Sequence, residues 1–143
     1  MIYPPLVLLP TEDEYRSLYE TTYCNNIVCT FDGIKVRFRK HLFNHCFYES
    51  SRHNDIKDSF SRPRAERIEW IRIALQDQDA DLYVGWDKKR RIYDHSRRVA
   101  LVMNDYAVVI RFTNGINAEF VTAYLVDTPT SLNKIKTSPI YSK

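Results

Sequence analysis

Residues 98–126 read RVALVMNDYAVVIRFTNGINAEFVTAYLV, and this stretch decides the fold. It holds three runs rich in β-branched and aromatic residues, at 98–103, 106–112 and 116–126. Turn-forming residues separate the runs, Asn-Asp at 104–105 and Thr-Asn-Gly at 113–115. The middle run is apolar at every position from 107 to 110, as expected for a strand covered on both faces. The stretch therefore predicts a three-stranded antiparallel meander.

Further β-rich segments lie before the meander. Residues 82–86 and 92–93 flank a basic turn, KKRR. Residues 27–31 and 34–38 flank Asp32-Gly33, which predicts a type I′ hairpin because both central positions of that turn have positive φ. Alternation along the second of these strands predicts one buried face and one cationic face, the latter formed by Lys35, Arg37 and Arg39.

Helical patterns occupy much of the first half of the chain. Thr11, with Glu14 three residues later, predicts a capped helix over residues 11–23. A short helix is predicted at 40–50, and a longer one at 61–76, where apolar residues recur at helical spacing. Helices gathered before a meander predict an α+β fold, with N-terminal helices packed on a C-terminal antiparallel β-meander sheet.

The remaining segments are predicted to be irregular. Residues 1–10 read as a strand or an arm that packs on the domain, residues 51–60 as a polar loop, and residues 128–143 as a surface tail. No repeat, linker or low-complexity segment divides the chain, so a single domain over residues 1–143 is expected.

Composition indicates a globular protein of a reducing compartment. Hydrophobic residues make up 44% of the chain, too many for a disordered protein. The three cysteines are odd in number and include no CxxC, so no disulfide framework is expected and a cytoplasmic location is favoured. The apolar run near the N-terminus is too short for a membrane span, and no P-loop or GxGxxG indicates a nucleotide cofactor. We expect neither membrane association nor a cofactor.

Charge is unevenly distributed along the chain, although the net charge is only +3. Residues 35–72 carry ten basic and five acidic side chains, and residues 88–98 carry six basic side chains and one acidic. An acidic block, 73–87, separates them. This pattern predicts a surface for an anionic ligand, with a solvated surface of mixed charge as the alternative.

His41 and His45 lie four residues apart on the predicted short helix, so their side chains are neighbours. Such a pair binds zinc in some proteins, but no HExxH motif or further ligand at a familiar spacing accompanies it, and no metal site is expected. A neutral imidazole exchanges protons near pH 7, and cationic neighbours lower its pKa. The pair is a candidate for acid–base chemistry, the choice between the two histidines is open, and His53 lies nearby in the sequence.

Three arginines, Arg62, Arg64 and Arg67, open the predicted 61–76 helix, whose N-terminus favours anions. Guanidinium groups bind phosphate through paired N–H donors. The alternative is a solvated arginine face paired with Glu66 and Glu69.

The last strand of the meander offers hydroxyl groups. Period two places three side chains on one face, Phe120, Thr122 and Tyr124. A hydroxyl beside a phenol can hold a phosphate and stack a base, and ordinary strand composition is the alternative.

Four segments together carry a resemblance to a known family. A histidine-bearing helix is followed by RAERIEWI at 64–71, by YAVVIRF at 106–112 and by EFVTAY at 119–124. In this order they resemble the barnase–EndoU–colicin–RelE superfamily of RNases, in particular its phage-associated branches. The resemblance covers residues 35–127, and the N-terminal extension and the tail lie outside it.

The resemblance implies a metal-independent endoribonuclease, in which the ribose 2′-hydroxyl attacks the adjacent phosphate. It implies catalytic roles for His41 or His45, Arg64, Thr122 and Tyr124. RNA-binding contacts are expected from Arg37, Arg39, Arg62, Arg67, Lys88 and Tyr93. The implied partners are RNA and, for a toxin-like protein, a cognate inhibitor or immunity protein.

Two other classes of function stay open. A non-catalytic nucleic-acid-binding or phage-associated interaction module on the same fold predicts the basic blocks on one face, with the histidines apart or buried. A structural or inhibitor protein predicts an exposed apolar patch. The enzyme instead predicts that a histidine, Arg64, Thr122 and Tyr124 converge in one cleft.

Overall fold

The computed structural model describes residues 2–52 and 56–142. The strands are β1 (Val28–Cys29), β2 (Lys35–Arg37), β3 (Tyr48–Glu49), β4 (Ser59–Phe60), β5 (Asp81–Asp87), β6 (Ile92–Val102), β7 (Tyr106–Phe112) and β8 (Asn117–Leu125). The α-helices are α1 (Glu12–Tyr19), α2 (Leu42–Phe47), α3 (Arg62–Ala65), α4 (Ile68–Gln76) and α5 (Pro129–Lys136), and a π-helical turn (Glu20–Cys24) continues α1. Within these ranges, no helix has the length and apolar character needed to cross a membrane.

The main sheet has six strands in the order β1-β2-β8-β7-β6-β5. Its β6–β7–β8 portion is the predicted antiparallel meander, with Val99 opposite Val109 and Ala123 opposite Val108. β2 adds to the meander in parallel with β8, so the sheet is mixed. The predicted α+β class is confirmed, and the sheet is larger than the meander alone.

Both faces of β7 are covered. Val108 and Ile110 belong to a large core that the α1, α2 and α4 helices complete. Ala107 and Val109 belong to a smaller core on the opposite face, closed by Ile135 of α5. The predicted surface tail is therefore wrong for residues 129–136, because an apolar sheet face there needs a cover and α5 supplies it.

Aromatic side chains fill the larger core. Tyr15, Tyr19 and Tyr23 are fully buried, and Phe38 stacks on Phe120 with ring centroids 4.6 Å apart. The buried phenols keep hydrogen bonds, since burying an unpaired hydroxyl is costly. The Tyr23 hydroxyl donates to the Ile68 carbonyl and accepts from the Arg72 amide, so it bridges one turn of α4.

The N-terminal segment is an arm without strand pairing to the sheet. The Val7 amide donates to the Glu66 carbonyl at 2.8 Å, and the Trp70 indole donates to the Pro4 carbonyl at 2.7 Å. Arg62 donates to the carbonyls of Leu9 and Pro10. These bonds fix the arm along α3 and α4.

The predicted continuous helix over 61–76 is wrong, because it breaks between α3 and α4. The Glu66 carbonyl accepts from the arm at Val7, and the Trp70 amide donates to Arg67 instead. In an unbroken helix the Glu66 carbonyl would accept from the Trp70 amide. Here it accepts from the Val7 amide of the N-terminal arm.

Two loop predictions are also corrected. Tyr48 pairs with Phe60 and Glu49 with Ser59, so part of the predicted polar loop is a small β-ladder. The hairpin around Asp32-Gly33 exists, but Gly33 alone of its loop has positive φ, at 82°, and the loop spans residues 30–34. A type I′ turn needs two such residues, so that turn assignment is wrong.

The other predicted tight turn is displaced by one residue. Met103 and Asn104 have φ of 53° and 60°, and the Asp105 amide donates to the Val102 carbonyl. The central pair is therefore 103–104 instead of the predicted 104–105. Asn tolerates this left-handed backbone, whereas Met gives no sequence signal for it.

The predicted faces of β8 are wrong in part. Its ladder with β7 shifts register, so Val109 opposes Thr122 while Ile110 opposes Phe120. The extra residue of this β-bulge interrupts the alternation of side chains. Phe120 packs in the larger core and Tyr124 in the smaller one, so they do not share a face.

A buried ion pair connects the loop of the β1–β2 hairpin to β6. Arg98 is 2% exposed and donates to both carboxylate oxygens of Asp32, at 2.8 and 3.2 Å. Its guanidinium lies 5.4–5.6 Å from the ring centroids of Phe31, Phe112 and Tyr141. Burial alone raises the pKa of Asp32, but hydrogen bonds from Arg98 and Thr30 outweigh it and bring that pKa to about 2.

We predict that Arg98→Ala lowers the free energy of unfolding by about 3 kcal/mol, because it leaves a partly buried carboxylate without its partner. Urea unfolding at pH 7 measures the loss. Arg111→Ala is the control: it removes an exposed ion pair with Glu119 and should change stability by no more than about 0.5 kcal/mol.

The same pair predicts a pH dependence. The folded pKa of Asp32, about 2, lies below the roughly 3.9 of an unfolded aspartate, so its stabilisation is present above about pH 4 and is lost towards pH 2. The stability difference between wild type and Arg98→Ala should therefore narrow in that window. A difference that stays constant with pH would contradict this role of Asp32.

Candidate functional site

The small β3–β4 ladder brings three cationic or basic side chains together. His45 lies in α2, Lys57 lies just before β4, and Arg64 lies in α3. The Lys57 ammonium donates to the His45 carbonyl at 2.8 Å, and Arg64 donates to the Tyr48 carbonyl at 3.2 Å. We call His45, Lys57 and Arg64 the cationic cluster.

The members of the cationic cluster act on one another electrostatically. His45 is exposed by surface area, but protein atoms around its ring partly desolvate it; this desolvation lowers its pKa, and the positive charges of Lys57, Arg64 and His41 lower it further. Burial also lowers the pKa of Lys57, with a further contribution from Arg64. A neutral imidazole is therefore held next to two cations at neutral pH.

No carboxylate in the described part of the chain forms an ion pair or hydrogen bond with Lys57 or Arg64. Their like charges repel one another, and a bound anion would relieve that repulsion. The arrangement is suited to a phosphate group.

The strand β8 contributes hydroxyl groups beside the cluster. The Cys46 thiol donates to the Ala123 carbonyl at 3.4 Å, which fixes α2 against β8. A hydrogen bond with the Thr122 side chain and the charge of Arg64 both act on that thiol. Burial raises the pKa of Tyr124, and Arg64 opposes the rise, so this phenol is neutral and lies within reach of the Arg64 charge.

The structure brings part of the predicted catalytic set to one region of the surface. His45 and Arg64 are neighbours there, Thr122 is next to Cys46 of α2, and the charge of His41 acts on His45. Tyr124 packs in the smaller core on the other face of the sheet, so the predicted convergence of all these residues is not observed. His53 lies outside the described residues. The region is a surface and not a deep cleft: His41, His45 and Lys57 are exposed. Three clefts of about 410, 400 and 390 Å³ are lined by other residues.

The buried thiol of Cys46 is not suited to nucleophilic chemistry. Burial raises its pKa to about 12, despite the opposing contributions of the Ala123 amide group, Arg64 and Lys57. A thiol of that pKa carries almost no thiolate at neutral pH. The described residues also include no group of three or more His, Cys, Asp or Glu side chains that could hold a metal ion.

Three of the predicted RNA-binding arginines are engaged within the protein. Arg62 holds the arm, Arg67 donates to the Pro63 carbonyl and lies over Trp70, and Arg39 pairs with Glu119 at 2.7 Å. Arg37 is exposed on β2.

The other two predicted contacts, Lys88 and Tyr93, lie near the tip of the β5–β6 hairpin. Counting residues along β5 from Tyr83, which is level with Thr122, places the tip about 20 Å further along the strands, and β5 lies three strand spacings of about 4.8 Å from β8. These two residues and the cationic cluster are therefore separate features of the surface.

Lys57 is not among the residues predicted from the sequence, because its segment, residues 51–60, is predicted to be a polar loop. The sequence offers no clear strand signal here, because Asp58 interrupts any alternation between Ile56 and Phe60. Only the pairing of β3 with β4 shows that this segment returns to α2.

Comparisons with protein-family models, with curated proteins and with solved structures found no match to this chain. The superfamily resemblance is carried by the short motifs between residues 35 and 127 and stays a prediction.

We predict that His45 titrates below the usual histidine pKa of 6.5, and that Lys57→Ala raises its pKa by removing a neighbouring cation. Two-dimensional NMR of the imidazole Cε1–H group against pH measures both values. Lys89→Ala, on the distant hairpin, is the matched control and should leave the His45 titration unchanged. A His45 pKa that does not respond to Lys57→Ala would show that the two groups do not interact.

Proposed function

We propose that this protein is a metal-independent endoribonuclease that cleaves RNA at the cationic cluster. The observation that carries the proposal is His45, with a lowered pKa, placed beside two cations that have no carboxylate partner among the described residues. RNA supplies both groups that such a site requires, an anionic phosphate and an adjacent hydroxyl that can be deprotonated.

In the proposed reaction, His45 accepts the proton of the ribose 2′-hydroxyl, since its lowered pKa keeps the imidazole neutral at pH 7. The 2′-oxygen forms a bond to phosphorus, and Lys57 and Arg64 stabilise the charge on the phosphorane oxygens. The bond from phosphorus to the 5′-oxygen then breaks, and the Lys57 ammonium supplies the proton to that oxygen. The products are a 2′,3′-cyclic phosphate and a 5′-hydroxyl.

Thr122 has a supporting role in this proposal, because its hydroxyl lies next to Cys46 on the face of β8 that α2 covers. Tyr124 is kept neutral by burial in the smaller core and takes no direct part in the proposed step. His41 influences the reaction through its effect on the His45 pKa.

A second function, RNA binding without cleavage, is favoured by the open surface on which the cluster lies. An active site commonly excludes water, whereas His45 and Lys57 are exposed. This alternative uses the same cations for the phosphate and assigns no proton transfer to His45.

We further propose a cytoplasmic location, which the three free cysteines support. A toxin-like activity would call for a cognate inhibitor or immunity protein, and such a partner would have to cover the cationic cluster with acidic groups.

The decisive experiment is cleavage of a mixture of structured and single-stranded RNA in EDTA. Wild type should cleave, and His45→Ala should be slower by about 10²-fold or more, as expected for loss of a general base. Lys57→Ala and Arg64→Ala should lose comparable activity. His95→Ala is the matched control, since His95 is an exposed histidine remote from the cluster, and it should keep full activity.

Circular dichroism should show that the variants are folded before the rates are compared. Cleavage that depends on added divalent metal, or that survives in His45→Ala, would overturn the proposed mechanism. Salt-sensitive RNA binding without cleavage in any sample would establish the binding module instead.

A further inference from the structure

The β5–β6 hairpin projects beyond the rest of the main sheet. The ladder between β6 and β7 runs from Arg97 to Val102, so residues 92–96 have no partner on β7. Of these, residues 92–94 pair with Asp87, Trp86 and Gly85 of β5. We call residues 85–94 the arm hairpin, which is distinct from the N-terminal arm.

The two strands are closely packed at the base of the arm hairpin. The β5–β6 register shifts at Val84/Gly85, and a Cβ on Gly85 would lie 2.6 Å from the Arg97 Cβ. Only glycine permits that approach. Arg97 then pairs with Asp94 at 3.3 Å and with Asp87 at 3.9 Å.

The turn at its tip is ordered by the same Asp87. Its carboxylate accepts from the amides of Lys89 and Arg90, each at 3.1 Å, and its carbonyl accepts from the Arg91 amide at 2.7 Å. Arg91 has φ of 56°, a left-handed backbone at which glycine or asparagine is more favourable. An arginine in this backbone conformation has a conformational cost, and this cost suggests a function for the Arg91 charge.

The turn and the paired strands of the arm hairpin offer two different kinds of contact. Lys89, Arg90 and Arg91 are exposed, and no carboxylate within the described ranges bonds to their side chains. Behind them Trp86 and Tyr93 form an edge-to-face pair with centroids 5.0 Å apart, and they are 49% and 38% exposed.

We infer that the arm hairpin binds single-stranded RNA, independently of the cationic cluster. Exposed aromatic rings stack on unpaired bases, and adjacent cations contact the phosphates. Duplex RNA does not expose its base faces, so it would meet only the cations. The choice of RNA over DNA rests on the proposed function, whereas the stacking and phosphate contacts do not require cleavage.

Fluorescence anisotropy with a labelled oligo(U) of about 12 nucleotides tests the inference, a length within the range of known single-strand sites. His45→Ala serves as the background protein, so that the RNA stays intact. Tyr93→Ala or Trp86→Ala in that background should weaken binding by about fivefold or more, as expected for one lost base stack. Tyr93→Phe keeps the ring and should retain the affinity.

The cations are tested by Arg91→Gly, which separates function from folding. Glycine removes the left-handed strain, so the thermal midpoint should be unchanged or higher, while oligo(U) binding weakens and its salt dependence drops by about 0.7 in log–log slope. The double variant Lys134→Gln/Lys136→Gln removes two exposed charges from α5 and is the matched control. It should bind as the background protein does.

Equal affinity in the background, Tyr93→Ala and Arg91→Gly would overturn the inference, as would preference for duplex RNA. Equal binding of oligo(dT) would overturn the assignment to RNA. Because binding is measured in a His45→Ala protein, absence of cleavage in the wild type leaves this result intact. The two proposals therefore fail separately.

Discussion

Burial of the central strand β7 on both faces is the constraint on which the rest of the structure depends. Its apolar run leaves no side that water can solvate, so two covering layers are required. The aromatic side chains of α1 and α2 cover one face, and α5 covers the other. Placement of α2 against β8 in turn brings His45 close enough to Arg64 for their charges to interact. The candidate site is thus a consequence of how the core is closed.

Positive side chains of this protein lie in two different environments, one with a carboxylate partner and one without. Arg98 is buried, but both of its terminal guanidinium nitrogens donate hydrogen bonds to Asp32, and three aromatic rings surround the guanidinium group. These contacts compensate for the desolvation of Arg98. In the cationic cluster, by contrast, Lys57 and Arg64 have carbonyls as partners and like charges as neighbours. Desolvation is the main cause of the lowered pKa values of His45 and Lys57, and repulsion between these charges lowers them further. An anionic ligand would supply the missing counter-charge, and phosphate is the ligand that suits it.

Much of the fold follows from local patterns in the sequence. The meander, the capped first helix and the buried alternation from Ile34 to Phe38 depend on residues close together in the chain, and the structure has all three. The break before Ile68 was not predictable, because Val7 takes the Glu66 carbonyl from 59 residues away. The β8 bulge likewise depends on its partner strand, and it separates Phe120 from Tyr124.

The same distinction between local sequence patterns and tertiary contacts applies to the candidate site. The sequence by itself determined the α+β class, since that class depends on local periodicity and on turn residues. Its short motifs also proposed His41 or His45, Arg64, Thr122 and Tyr124 as site residues, through a family resemblance that stays a prediction. Only the tertiary structure decided which cations stay available. It joined Lys57 to His45 through the β3–β4 ladder, and it used Arg62 and Arg67 for internal bonds. The physical reason is that a side chain's charge is neutralised or left unpaired by neighbours distant in sequence, and no local pattern records which neighbours those are.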